Sequence, residues 1–127
     1  MKNKKPLLIV LGEPNSIFSE ILFKSYRKKI IQKYNRPVVI IGSENLLKSQ
    51  MKFLKYSIKI KKINSFDFKK FNFNKKYINI LNVEYKFKKT FDKISNNSNK
   101  YINDCFKIAI KLLYEKSAFA LINGPVS

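Results

Sequence analysis

The sequence contains no histidine, no tryptophan, one cysteine and only eight acidic residues among its 127 positions. Without histidine no Ser-His-Asp or Cys-His arrangement can form, and the commonest metal ligand is missing. The carboxylates are scattered along the chain, so they predict no metal cluster. The single cysteine, Cys105, cannot form an internal disulfide, and its apolar helical neighbourhood predicts a buried structural thiol.

Long apolar runs are also missing, since none approaches the roughly 18 residues that a membrane-spanning helix needs. A basic start is followed by the apolar residues 6–11, which form too short a run for a secretory signal. We therefore expect a cytoplasmic protein. The hydrophobic content of 45% and the length predict one globular domain.

The net charge of +19 is carried by 27 Lys and Arg residues, of which only Arg27 and Arg36 are arginine. Because the lysines are spread along the chain, we interpret the charge as solvated surface. The alternative is a small basic α/β module that binds RNA or other polyanions. The interleaved Phe and Lys of residues 66–91 are typical of single-strand binding surfaces, but inward packing of the rings is favoured. We do not expect nucleic acid to be the partner.

Alternating apolar and helical segments predict an α/β fold, with a largely parallel sheet and flanking helices. Apolar runs predict buried strands at residues 6–11, 38–41 and 118–122, and residues 77–83 are a further strand candidate. A period of two predicts a half-exposed strand at 58–61. Helical spacing predicts helices at 17–33, 43–54 and 99–116. Residues 64–76 and 84–97 are expected to be a loop and a basic linker.

Two short loops that contain glycine and proline follow two of the predicted strands. Gly12-Glu13-Pro14 follows the first strand, and Asn123-Gly124-Pro125 follows the last. Ligands of open parallel sheets bind at the carboxyl ends of strands, so these six residues are the candidate substrate- or cofactor-lining positions. In the alternative interpretation the glycines only turn the chain, and Glu13 only stabilises the start of the next helix. Asn15, Ser16 and Ser43 are candidate helix caps.

The two loops and the segments between them resemble the 4-hydroxythreonine-4-phosphate dehydrogenases of vitamin B6 (pyridoxal phosphate) synthesis. Members of that family open with Gly-[Asp/Glu]-Pro-Ala-Gly-Ile-Gly-Pro-Glu, which is similar to residues 12–20. Five positions match in register: Gly12, Glu13, Pro14, Ile17 and Glu20. Further segments similar to the family follow in the right order at 37–42, 46–47, 92–95 and 120–126. Ser16 and Phe18 stand where the family has glycine, and Asn123 stands where it has threonine.

The resemblance implies that residues 1–127 are the truncated N-terminal part of a dehydrogenase domain with an isocitrate/isopropylmalate dehydrogenase-like fold. It implies NAD-dependent oxidation and decarboxylation of 4-phosphooxy-threonine by a homodimer, assisted by a divalent metal (Zn, Mg or Co) that histidines hold. Those histidines, a conserved lysine and most NAD contacts would lie beyond Ser127. We therefore expect this chain to hold no cofactor, to contain no catalytic residue or metal ligand, and to be inactive by itself.

Overall fold

A computed structural model describes residues 4–64 and 68–126. Its five strands are β1 (Leu7–Val10), β2 (Val38–Gly42), β3 (Ile60–Lys62), β4 (Ile78–Asn82) and β5 (Ala120–Asn123). Its α-helices are α1 (Phe18–Arg27), α2 (Glu44–Phe53) and α3 (Asn99–Tyr114). The strands form one sheet in the order β3-β4-β2-β1-β5, and every pairing is parallel. The predicted α/β class with a parallel sheet is therefore confirmed.

The three central strands, β1, β2 and β4, are buried on both faces because helices cover each side of the sheet. Alternate residues of β1 point to opposite sides: Leu8 and Val10 pack with the residues of α3, whereas Ile9 packs with Leu22 and Phe23 of α1. A strand with two buried faces is apolar along nearly its whole length, which is why continuous apolar runs identified β1 and β2. Strand β4 is also buried but includes the polar Asn79. Among the described residues no helix has the length and apolar character needed to cross a membrane.

Helix α1 was predicted to continue to residue 33 but ends at Arg27. Lys29 adopts a left-handed backbone conformation, with φ of 61°. The Lys29 N–H donates to Tyr26 O and the Ile30 N–H donates to Ser25 O, which is the hydrogen-bond pattern of a Schellman helix end. A short 3₁₀ turn, Ile31–Lys33, follows, so the apolar spacing at residues 30 and 31 does not belong to the helix.

All three α-helices end in this way, with lysine at the left-handed position. Lys55 after α2 and Lys116 after α3 have φ of 62° and 60°, and the next N–H in each case donates to a carbonyl five residues earlier. Glycine normally occupies this position because a Cβ costs about 1 kcal/mol in the left-handed region. The chain has only three glycines and uses none of them at a helix end.

Replacing Lys55 with glycine is therefore expected to raise the free energy of unfolding by about 0.5–1 kcal/mol, because the left-handed strain is removed. The matched control is Lys52→Gly, inside the last turn of α2, which should lower it by about 1 kcal/mol. Urea titration followed by far-UV circular dichroism measures both. Destabilisation by Lys55→Gly as large as by Lys52→Gly would contradict the assigned helix end.

Helix α2 begins as predicted, since Ser43 Oγ accepts a hydrogen bond from the Leu46 N–H at 3.2 Å. Asn82 Oδ1 accepts from the Glu44 N–H at 2.8 Å. At the start of α1, Ser16 Oγ accepts from the Phe18 N–H at 3.2 Å. Asn15 is not a helix cap. Its side chain instead contacts residues 92 and 93.

Strand β5 was predicted to be buried, and this prediction was wrong. It pairs only with β1, so it forms an edge of the sheet and its residues are half-buried or exposed. Strand β3 is half-exposed as predicted, although it begins two residues later than expected. An apolar run does not distinguish a central strand from an edge strand.

Three phenylalanines of the Phe-Lys segment pack inward. Phe68, Phe71 and Phe73 lie against the core cluster on the α3 side of the sheet, and the Phe71 and Phe73 ring centroids are 4.9 Å apart. Phe66 lies outside the described residues. The interpretation that the rings pack inward is confirmed for these three phenylalanines. Cys105 is buried as predicted, and burial raises the pKa of its thiol to about 12.

Candidate functional site

The two candidate loops lie where the strand order of the sheet reverses. From β1 the chain crosses to β2 on one side, and after α3 it returns to β5 on the other side. Open α/β sheets bind ligands outside the carboxyl ends of their strands at such a switch point. Gly12 follows β1 and Gly124 follows β5, so the fold places both loops at this point.

The two loops contact each other through their backbones. The Glu13 N–H donates to Pro125 O at 2.7 Å, and the Gly124 N–H donates to Val10 O at 2.8 Å. Gly12 has φ of +74°, and a Cβ at this position would lie 2.6 Å from Pro125 O. A Cβ on Gly124 would overlap Leu11 O. Both glycines are therefore required by the close approach of the two loops.

Glu13 is buried and its carboxylate joins the first loop to α3. Oε1 accepts from the Asn15 N–H at 3.2 Å, and Oε2 accepts from the Ser98 hydroxyl at 3.1 Å. Ser98 immediately precedes α3, where a negative charge is favoured by the helix dipole. The sequence predicted such a role at the next helix, α1. The structure instead places the carboxylate at the start of α3, 85 residues further along the chain.

The predicted linker also belongs to the site. Asn15 Oδ1 accepts from the Asp92 N–H at 2.9 Å. The buried Gln50 side chain donates to Pro14 O at 2.7 Å and to Thr90 O at 3.3 Å. Sequence reasoning missed Gln50, because its burial depends on contacts with Pro14 and Thr90, which lie far from it in the chain.

The end of β2 is closed by Tyr101 of α3. The Tyr101 hydroxyl accepts from the Ser43 N–H at 2.8 Å, and the Tyr85 ring stacks on the Tyr101 ring with centroids 4.6 Å apart. Burial raises the pKa of Tyr101 above its ordinary value, so its hydroxyl stays neutral at physiological pH. A Cβ on Gly42 would lie 2.9 Å from the Tyr101 hydroxyl oxygen, which leaves no room for a ligand there.

Exposure divides the six predicted lining residues into two groups. Gly12, Glu13, Pro14 and Gly124 are buried, whereas Asn123 and Pro125 are exposed. Asn123 Nδ2 donates to Gly124 O at 2.9 Å. The first group holds the two loops together, and the second group forms the surface that a ligand at this edge would meet.

Phe18 occupies space beside the second loop. A Cβ on Gly124 would lie 2.8 Å from Phe18 Cδ2, so the ring rests directly on this glycine. In the family that the sequence resembles, glycine stands at the Phe18 position. The ring therefore narrows the approach to the Gly124 backbone.

No metal-ligand set is present among residues 4–64 and 68–126, where no three His, Cys, Asp or Glu side chains come together. The whole sequence has no histidine. The histidine-held metal that the resemblance implies therefore has no ligands in this chain.

Comparison with known proteins finds similarity to a group of dehydrogenases. No protein-family model matches the chain. A curated 4-hydroxythreonine-4-phosphate dehydrogenase from Sulfurihydrogenibium sp. is 34% identical over 121 residues, which are 95% of this chain and 35% of that enzyme. The chain is related to the 4-hydroxythreonine-4-phosphate dehydrogenases. The resemblance stated from the loops is thereby confirmed.

Solved dehydrogenase structures of that description share the fold. The one from Burkholderia phymatum superposes with a TM-score of 0.83 at 15% identity, over 98% of this chain and 37% of that chain. A putative 4-hydroxythreonine-4-phosphate dehydrogenase from Salmonella typhimurium superposes with a TM-score of 0.80 at 20% identity, over 98% of this chain and 38% of that chain. The chain therefore spans little more than a third of the length of the dehydrogenases that it matches.

Proposed function

We propose that this chain forms the N-terminal part of a cytoplasmic 4-hydroxythreonine-4-phosphate dehydrogenase domain. The whole enzyme, a homodimer, would oxidise the secondary alcohol of 4-phosphooxy-threonine, pass the hydride to NAD and release carbon dioxide from the resulting β-keto acid. The observation that carries this proposal is the contact between the Gly12 and Gly124 loops at the switch point. The similarity to a named dehydrogenase over 95% of the chain supports it.

The contribution of this chain to such an enzyme is positional. The buried residues Gly12, Glu13, Pro14 and Gly124 would fix one wall of the substrate cleft, and the exposed Asn123 and Pro125 would face the substrate or NAD. The divalent metal would supply Lewis-acid catalysis. Because residues 4–64 and 68–126 contain no ligand set for it, the metal would be bound by other parts of the enzyme, and the chain alone would be inactive.

The β5 edge supports the proposal that more protein packs on this domain. The edge of β5 away from β1 has no partner strand among the described residues, and unpaired strand edges accept further strands. Residues 117–127 contain no charged side chain in a chain of +19. The exposed apolar side chains at β5 and at the start of α1 are Phe119, Ile122, Val126, Ile17 and Ile21. Apolar surface of this kind marks an interface.

The isolated chain is therefore expected to bind the dye ANS and to self-associate. Ile122→Lys, on the β5 edge, should reduce ANS fluorescence about twofold or more, because it breaks the apolar patch. The matched control is Ile30→Lys. Ile30 is exposed to a similar degree, 58% against 50% for Ile122, but lies in the turn after α1. Equal effects of the two substitutions would contradict an interface at β5.

Reconstitution from two polypeptides tests the function. This chain is mixed with the section of the Sulfurihydrogenibium enzyme that lies outside the matched region, and NADH formation from 4-phosphooxy-threonine is followed by absorbance. We expect a complex in sedimentation velocity and NADH formation that neither polypeptide gives alone. A stable complex without turnover would contradict the proposed activity, and the absence of a complex would contradict the proposed place of this chain in the domain.

A further inference from the structure

An open groove of about 510 Å³ lies at the edge of the sheet opposite the Gly12 and Gly124 loops. Most of its lining residues directly precede β3 and β4 in the chain, as Lys59 and Lys76 do. The others, Tyr26 and Gln32, lie at the end of α1 and just after it. Because the strands are parallel, these segments meet at the amino edge of the sheet. The groove is wide open to solvent, so a ligand bound there would stay partly exposed. The dehydrogenase cleft proposed above does not use this groove.

The turn that carries Lys76 is fixed by a buried side chain. Asn79 of β4 is 3% exposed, and its Nδ2 donates to Asn74 O at 3.0 Å. Asn74 O also accepts from the Tyr77 N–H at 3.0 Å, and Asn74 Oδ1 accepts from the Lys76 N–H at 3.0 Å. This wall is therefore organised before any ligand binds, which reduces the entropy that binding costs.

The opposite wall is also held by a side-chain amide. Gln32 Nε2 donates to Tyr26 O at 3.0 Å, which fixes the turn after α1 against the end of the helix. The Tyr26 side chain is 3% exposed and belongs to the core cluster beneath α1. The groove is thus bounded by segments that the core and its hydrogen bonds position.

The lysine charges and the aromatic surface of the groove determine which class of ligand it can bind. Among the described residues, two exposed lysines, Lys59 and Lys76, line it and no carboxylate does. Lys59 Nζ lies 5.9 Å from the centroid of the Tyr77 ring, which places an ammonium group beside an aromatic surface. Lysine binds phosphate as a point charge, and aromatic rings stack on flat heterocycles.

From this arrangement we infer that the amino-edge groove binds a small phosphate monoester that carries a flat aromatic ring, of the mononucleotide class. The phosphate pairs with the ammonium groups of Lys59 and Lys76, and the ring packs on Tyr77. This binding requires neither NAD nor the metal of the proposed dehydrogenase. It is independent of the proposed activity because the two sites lie at opposite edges of the sheet.

Isothermal titration with AMP tests this inference, at about 0.15 M salt so that general attraction to the charged surface is screened. The double variant Lys59→Ala/Lys76→Ala is compared with Lys88→Ala/Lys111→Ala, which removes the same charge from two exposed lysines elsewhere. The groove pair is expected to weaken AMP binding about tenfold. The control pair is expected to change it less than about twofold. Tyr77→Leu should weaken AMP binding but leave the weaker binding of inorganic phosphate unchanged.

Three results would overturn the inference. These are equal weakening by the two lysine pairs, binding of AMP no tighter than binding of inorganic phosphate, and no binding of AMP to the wild-type chain. Thermal melts of each variant establish that it is folded before titration. If the alanine pair unfolds the chain, Lys59→Gln/Lys76→Gln is used instead, because glutamine keeps most of the lysine side chain and removes the charge.

Discussion

Replacing Gly12 with alanine is expected to lower the free energy of unfolding by about 3 kcal/mol. The left-handed backbone at this position, with φ of +74°, costs an alanine about 1 kcal/mol. The added Cβ would lie 2.6 Å from Pro125 O, and a clash with backbone costs about 1–3 kcal/mol more because the loop itself must move. A small domain has a total stability of about 5–15 kcal/mol, so this single methyl group is a large perturbation.

Urea unfolding of Gly12→Ala, Gly124→Ala and Gly42→Ala measures this effect against an internal control. At Gly124 the new Cβ also overlaps backbone, at Leu11 O, whereas at Gly42 it meets mainly the flexible Leu11 side chain and the Tyr101 hydroxyl. We expect Gly12→Ala and Gly124→Ala to lower the free energy of unfolding more than Gly42→Ala does. A loss below about 0.5 kcal/mol for Gly12→Ala, the range of an ordinary surface substitution, would contradict the contact between the two loops.

Replacing Glu13 with alanine is expected to lower the free energy of unfolding by about 2–4 kcal/mol. The carboxylate accepts hydrogen bonds from the Ser98 hydroxyl and the Asn15 N–H, and hydrogen bonds to a buried charged group contribute about 1.5–3 kcal/mol each. The substitution also removes negative charge from the start of α3, where it stabilises the helix. The matched control is Glu84→Ala, because the Glu84 hydrogen bond to Asn82 is exposed, and it should cost about 0.5 kcal/mol or less.

A double-mutant cycle isolates the contact between Glu13 and α3. Glu13→Ala, Ser98→Ala and the double variant are unfolded in urea, and the coupling energy between the two positions is expected to be about 1–2 kcal/mol. Additive effects of the two substitutions, within about 0.3 kcal/mol, would show that the two side chains do not interact. In that case Glu13 would stabilise the loop by itself.

The central strands were predictable because local sequence determines them. A strand with helices on both faces is apolar along nearly its whole length. Strands β1 and β2 follow this pattern, whereas β4 includes two asparagines, of which Asn79 is buried. The edge position of β5 was not predictable, because its exposure depends on which strands are its neighbours. Ile122 of β5 is 50% exposed, although residues 118–122 form a run as apolar as that of β1.

The end of α1 was missed for a different physical reason. The usual sign of a helix end is glycine at the left-handed position, and Lys29, Lys55 and Lys116 occupy that position here. The chain's glycines stand instead where strands end and backbones approach each other. A lysine gives no signal of a helix end in a chain where lysine is common on every surface.

The candidate site could be predicted only in part. The two loops were identified because glycine and proline after a buried strand are a local pattern. Their support by Ser98 and Gln50 depends on contacts across 85 and 36 positions of the chain, which no local pattern encodes. The position of the Phe18 ring on Gly124 likewise required the fold. Whether the six predicted residues line a ligand stays a prediction.

A chimeric enzyme tests most directly the central claim that this chain supplies one wall of a dehydrogenase cleft. The matched section of the Sulfurihydrogenibium enzyme is replaced by the corresponding residues of this chain, and kcat/KM for 4-phosphooxy-threonine is measured with and without Phe18→Gly. We predict measurable turnover that rises when Phe18→Gly opens the approach to Gly124. A folded chimera that forms no NADH with either residue at position 18 would contradict the claim.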